Sequence, residues 1–91
     1  MPAEASRRDG SVIVLQLFGR AYCHLCTDMA DLLAVRLAGL PVRLDWIDLD
    51  EHEEWETVFG EHIPVLRYGD LELCRHRLDE AALGAFLARL G

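Results

Sequence analysis

An apolar run, a pair of cysteines and a helical stripe follow one another without a break between residues 12 and 37. That succession narrows the folds open to this chain more than any other feature. Val12-Ile13-Val14-Leu15-Gln16-Leu17-Phe18 is short, almost wholly apolar and rich in β-branched residues, the pattern of a buried strand. Cys26, Met29, Ala30, Leu33 and Leu37 recur at spacings of three and four, which predicts a helix over about 24–37 with one core stripe. Gly39-Leu40-Pro41 stops it. Gly19 to Tyr22 forms the loop between them, and Cys23-His24-Leu25-Cys26 opens the helix. A thiol at a helix N-terminus gains the dipole and free backbone N–H groups, which favour its thiolate. Zinc sites use the same C-x-x-C spacing, so the strand-then-helix context carries the dithiol reading more than the spacing does.

The rest of the chain continues in the same grammar. Val42-Arg43-Leu44-Asp45-Trp46-Ile47-Asp48 reads as a second strand, with Trp46 packing in a core strand. Asp50 is the expected N-cap of a short acidic helix, with Glu53 as its capping-box partner and Gly60 at its end. His62-Ile63-Pro64-Val65-Leu66-Arg67-Tyr68 and Leu71-Glu72-Leu73-Cys74, separated by Gly69-Asp70, read as a hairpin. Asp79 caps a last helix striped by Leu83, Phe86, Leu87 and Leu90. The order is β-α-β-α-β-β-α. A strand–helix–strand unit gives a right-handed parallel pair, and the hairpin adds antiparallel strands to the same sheet. The expected architecture is α/β: a four-stranded mixed sheet with helices on both faces. Residues 1–10 read as a disordered polar tail and 11–91 as one domain.

Charge and cysteine usage restrict the function classes. The net charge is −7, and all nine basic residues are arginine. Such a chain does not seek nucleic acid or an anionic membrane by bulk electrostatics. Asp45, Asp48, Asp50, Glu51, Glu53, Glu54 and Glu56 crowd one stretch, read as strand-end caps and a solvated helix face. Two close cysteines and one distant one do not make a secreted disulfide scaffold, so a cytoplasmic, catalytic use is expected. Arg7-Arg8 precede an apolar run, but that run is short, contains Gln16 and lacks a small-residue cleavage site. No stretch is long enough to span a membrane. A monomer is expected.

The element order, the run Arg20-Ala21-Tyr22-Cys23-His24-Leu25-Cys26 and the run Ile63-Pro64-Val65 together resemble the thioredoxin superfamily. The nearest branch is glutaredoxin and the small bacterial glutaredoxin-like proteins. The resemblance spans nearly the whole chain after residue 11. It implies a thioredoxin-like fold, a disulfide oxidoreductase, a cis Pro64 facing the dithiol, and Arg20 in the place of a basic residue that glutaredoxins carry. His24-Leu25 stands where glutaredoxin has Pro-Tyr and thioredoxin has Gly-Pro. The Gly-Gly pair of the glutaredoxin glutathione site is missing; Leu71-Glu72-Leu73-Cys74-Arg75 stands there. A protein disulfide therefore stands beside a low-molecular-weight disulfide as the substrate. No bound cofactor is expected, with glutathione left as a reductant or co-substrate.

Each chemical role falls to a named residue. Cys23 is the nucleophile, and Cys26, on the apolar stripe, the resolving thiol. Arg20 and His24 are thiolate-stabilising candidates; His24 reads equally as a surface residue. Tyr22, Ile63, Pro64 and Arg75 are substrate-binding candidates, the backbone at Ile63 docking an extended peptide by strand addition. Cys74 is either a third redox thiol, since its strand ends at the rim that carries Cys23, or a small buried hydrophobe. Arg75 and Arg77 either take a substrate carboxylate or pair with Asp79 and Glu80. Two other functions stay open: a metal-binding module using Cys23, Cys26, Cys74 and His76, or an iron–sulfur cluster shared across a dimer through Cys23 and glutathione; and a redox-inactive adaptor. His52 and His62 form no constellation, and Trp55, like Trp46, reads as packing.

Overall fold

The computed structural model describes residues 12–89, so the expected tail at residues 1–10 and Leu90 of the last stripe lie outside the described residues. The elements are β1 (Ile13–Gly19), α1 (His24–Arg36), β2 (Val42–Asp48), a 3₁₀ turn (Leu49–Glu51), α2 (Glu53–Phe59), β3 (Val65–Tyr68), β4 (Leu71–Arg75) and α3 (Glu80–Ala88). The sheet order is β2-β1-β3-β4. β1 pairs parallel with β2, and antiparallel with β3, which pairs antiparallel with β4. β4 therefore runs parallel to β1.

The pleat sorts the core into two layers. Leu15 and Leu17 of β1, Leu66 of β3 and Cys74 of β4 meet Met29, Leu33 and Leu37 below α1, and Leu83 and Phe86 of α3. Phe18 and Val65, each one residue out of phase with Leu17 and Leu66, face the other way. They meet Leu49 and Phe59, with Trp55 and Ile63 beside them. One-residue alternation thus puts α1 and α3 on one face of the sheet and α2 on the other. Phe18, Trp55 and Phe59 form an aromatic triad with centroids 4.7–5.6 Å apart.

Four expectations about local structure are corrected. Asp50 does not cap α2. Asp48, at the end of β2, reaches the next free N–H first and accepts from Asp50 N at 2.9 Å, so the chain tightens into the 3₁₀ turn. His52 then takes the α2 N-cap position without a side-chain cap, and Glu53, Glu54 and Glu56 supply the negative charge of the first turn. Trp46 is not a core residue: β2 is an edge strand, and the indole is 40 % exposed. Arg75 does not pair with Asp79 or Glu80; it grips Glu72, while Glu80 pairs with Arg36 across the α1–α3 face. The third strand also begins later than its sequence run, at Val65, because Pro64 has no N–H to give to a ladder.

Candidate active site

β1 delivers the chain to the rim of the sheet at Gly19, and a tight turn follows in which Cys23 N donates to the Arg20 carbonyl at 3.1 Å. Cys23 is the N-cap of α1, with extended backbone at φ −88° and ψ 113°. Its sulfur accepts the N–H of Cys26 at 3.2 Å. A cap is usually an oxygen; here a sulfur takes one of the helix's unpaired donors, and a thiolate accepts more strongly than a thiol. Thr27 N–H closes the first turn on the Cys23 carbonyl, and Thr27 Oγ1 donates to the His24 carbonyl at 3.0 Å.

Cys26 lies one turn further in and is wholly buried, while Cys23 is partly exposed. Burial pushes the Cys26 thiol up to about 12, reinforced by its hydrogen bond to Cys23 and opposed by the backbone contact at Arg20. Gly19 makes room for it. A methyl at residue 19 would stand 2.8 Å from Cys26 Sγ and 2.9 Å from the Trp46 ring. In the sequence Gly19 carries one signal, a glycine at the end of a strand that meets the dithiol.

The remaining predicted residues are placed as follows. Arg20 is largely buried, and its charge lowers the Cys26 thiol, the smallest of the influences there; its Nε donates to Asp50 at 3.1 Å, a second nitrogen to Glu56, and a third reaches the Gly60 carbonyl at 3.5 Å. It ties the loop after β1 to the 3₁₀ turn and α2. His24 projects into solvent with Nε2 3.2 Å from Asp28. Tyr22 is 76 % exposed beside the dithiol in sequence. Pro64 is fully buried, and the Ile63–Pro64 peptide bond is cis. His76 N donates to the Pro64 carbonyl at 2.8 Å, which joins the segment before β3 to the loop after β4. His76 holds this contact with φ at +69°, a left-handed conformation uncommon outside glycine. Its ring stands 6.1 Å from that of His62, edge to face. Neither the left-handed backbone of His76 nor this linkage carries a signal in the sequence.

Cys74 sits one residue before the end of β4, inside the α1–α3 layer, with its thiol pushed up by burial. Arg75 is exposed and held by both Glu72 oxygens at 2.6 Å. Among the described residues no three of His, Cys, Asp or Glu stand together as a metal-binding group. No helix among them is long and apolar enough to cross a membrane.

Comparison with known proteins agrees with this geometry. The chain is 32 % identical to protein Ne2328 from Nitrosomonas europaea, covering 84 % of this chain and 92 % of that one with a TM-score of 0.72. Protein XcR50 from X. campestris is 29 % identical over 82 % of this chain and 96 % of its own, with a TM-score of 0.65. A thioredoxin from Halobacterium salinarum superposes with a TM-score of 0.57 at 21 % identity, over 84 % of this chain and 72 % of that one, which shows the thioredoxin-like fold. No curated protein matches the chain. The model of the "Glutaredoxin-like domain (DUF836)" family matches residues 14–88, nearly the whole described structure, and the chain belongs to that family.

Proposed function

We propose that the protein is a thiol–disulfide oxidoreductase with Cys23 as nucleophile and Cys26 as resolving thiol. The observation that carries this is the asymmetry of the pair: one sulfur at a helix cap with access to solvent, the other buried and held protonated one turn away. Cys23 as thiolate attacks one sulfur of a target disulfide, forms a mixed disulfide and expels the other sulfur as a thiolate. Cys26 then loses its proton and attacks Cys23 Sγ. The Cys23–target bond breaks, the second target thiolate leaves, and two electrons have passed from the dithiol to the target.

The order of steps follows from what raises the Cys26 thiol. The Cys23 sulfur contributes to that rise by hydrogen bond and by charge. Once Cys23 is bonded to the target it carries no charge, and that contribution vanishes. Cys26 therefore becomes easier to deprotonate when its attack is needed. The adjoining segment supports docking of an extended chain: pairing in β3 begins only at Val65, so Ile63 stands before the ladder, where its backbone can meet a substrate. A protein disulfide and a glutathione disulfide or mixed disulfide both satisfy this chemistry.

The test is the midpoint potential of the Cys23–Cys26 couple, set against a glutathione or dithiothreitol series between pH 6 and 8. A reversible two-electron couple is expected. Cys26→Ser should trap a mixed disulfide on Cys23, and Cys23→Ser should trap none. A dithiol that does not cycle in that range would refute the reading.

A further inference from the structure

We propose that β2 is a self-recognition edge: two copies of this chain pair antiparallel along it, with Leu44 at the two-fold axis and each Arg43 opposite the partner's Asp45. β2 stands first in the sheet order β2-β1-β3-β4, and only β1 pairs with it among the described residues. An unpaired edge of seven residues is a template for another strand. β4, the other edge, is interrupted by a register shift in its pairing with β3, an irregularity that blunts an edge. β2 follows β1 in unbroken register from Val42 to Asp48.

The backbone sets the phase. Ile13 N donates to the Pro41 carbonyl at 2.9 Å, in a register that places Ile13 opposite Val42. In a parallel ladder that bond turns the N–H and C=O of Arg43, Asp45 and Ile47 toward β1. Those of Leu44 and Trp46 point away from the sheet. A second copy of β2 must therefore set its own even-numbered residues opposite these. The side chains choose among the registers that satisfy this. Centring on residue 43 puts Arg43 against the partner's Arg43, and centring on residue 45 puts Asp45 against the partner's Asp45. Centring on Leu44 puts Arg43 against the partner's Asp45, and the symmetry of an isologous contact repeats the pair.

Both faces of the strand fit that register. Arg43 and Asp45 already meet along β2 at 2.9 Å, and both side chains are exposed. Pairing turns them into a ladder of four alternating charges. On the opposite face Val42 and Leu44 pack against the α1 layer, and Trp46 is 40 % exposed. The same register lays each Trp46 across from the partner's Val42, which covers an indole that the single chain leaves in water.

The net charge of −7 opposes this association at long range. The test is therefore run at about 0.15 M salt, where screening confines the repulsion to about 8 Å. Reducing buffer keeps intermolecular disulfides from forming. Sedimentation equilibrium on the full chain from about 10 μM to about 1 mM, the range of a weak interface, should show a reversible monomer–dimer equilibrium. Arg43→Asp and Asp45→Arg each set like charges opposite one another twice, and each should weaken it at least about tenfold. Their equimolar mixture should associate like wild type, because every carboxylate then faces a guanidinium. Asp45→Arg is the stricter variant: it lowers the net negative charge, so a non-specific contact would strengthen where this one weakens. Amide hydrogen exchange at Leu44 and Trp46 should slow as concentration rises, with Asp45 and Ile47 unmoved. A monomer throughout, a dimer indifferent to both substitutions, or a mixture no tighter than its parts overturns the proposal. Protection at Leu44 and Trp46 that does not depend on concentration also overturns it, and would seat residues 1–11 of the same chain on the edge. Rates of disulfide exchange enter none of these outcomes.

Discussion

β1 and β4 run in the same direction and end on the same rim of the sheet, and each brings a cysteine close to it with opposite results. After β1 the chain leaves the sheet at Gly19, turns, and sets Cys23 at the cap of α1 with its sulfur partly in solvent. Near the end of β4, Cys74 is still within the ladder, and the pleat turns its side chain into the layer of Leu66, Leu83 and Phe86. Arrival at the rim is therefore not what makes a thiol available. A short loop and a helix start do so, because they free the side chain from strand alternation and give it unpaired N–H groups. Cys74 is buried as a core side chain, with its thiol pushed up by that burial.

The largest break of this comparison is in turnover. Cys23→Ser should lower reduction of a small disulfide by at least about a thousandfold, the scale on which loss of a nucleophile acts. Cys74→Ser, measured in the same assay below its melting temperature, should stay within about twofold, because its sulfur is packed into the core. Equal losses would make Cys74 a third redox thiol and undo the contrast.

The next effect tests how the first region is built. Gly19→Ala puts a methyl into Cys26 Sγ and the Trp46 ring at once. Overpacking of this kind costs about 1–3 kcal/mol. For a domain of this size each kcal/mol lowers the melting temperature by roughly 4–8 °C. Of the two neighbours the indole is the freer to yield, since it lies on an edge strand. Gly19→Ala combined with Trp46→Ala should therefore show a cost smaller than the sum of the two single changes, in a thermal-melt cycle.

The same contrast explains what the sequence disclosed. Strand and helix order, the faces of α1 and α3, and the out-and-in arrangement of Cys23 and Cys26 follow from periodicities that the chain carries openly. What stayed hidden depends on competition between neighbours or on contacts distant in sequence. Asp48 and Asp50 are both able caps, and only the end point of β2 decides which one acts. Arg20 lies beside the dithiol in sequence, yet it pairs with carboxylates 30 and 36 residues away. The edge position of β2, which exposes Trp46, is fixed by where the hairpin adds, and no local pattern in β2 records that. His76 adopts a glycine-like conformation for a contact with Pro64 that only the fold creates.

In the second region, Cys74→Ser should cost stability where it spares turnover. The serine hydroxyl needs a partner that a thiol does not, and an unsatisfied buried donor costs about 1–3 kcal/mol. Cys74→Val, apolar and branched like its neighbours, should lose less in chemical denaturation. If Ser and Val cost the same, cavity shape and not polarity governs the site.

The smallest effect lies within the dithiol and is read in alkali. Cys26 holds its proton up to about 12 in the fold, against an ordinary value of 9.0. Between those values the folded state binds a proton that the unfolded state has released. Unfolding then releases protons, so stability is full below pH 9 and falls as pH rises toward 12. The slope cannot exceed about 1.4 kcal/mol per pH unit for one group, so the loss between pH 9 and 10 is about 1 kcal/mol. Cys74 titrates in the same sense, its thiol also pushed up by burial. The slope that disappears in reduced Cys26→Ala, relative to wild type, belongs to Cys26 alone. The cavity left by the alanine lowers stability at every pH and leaves that slope difference readable. A variant curve parallel to wild type from pH 8 to 10 would mean that Cys26 is not held protonated, and the timing of its attack would need another cause.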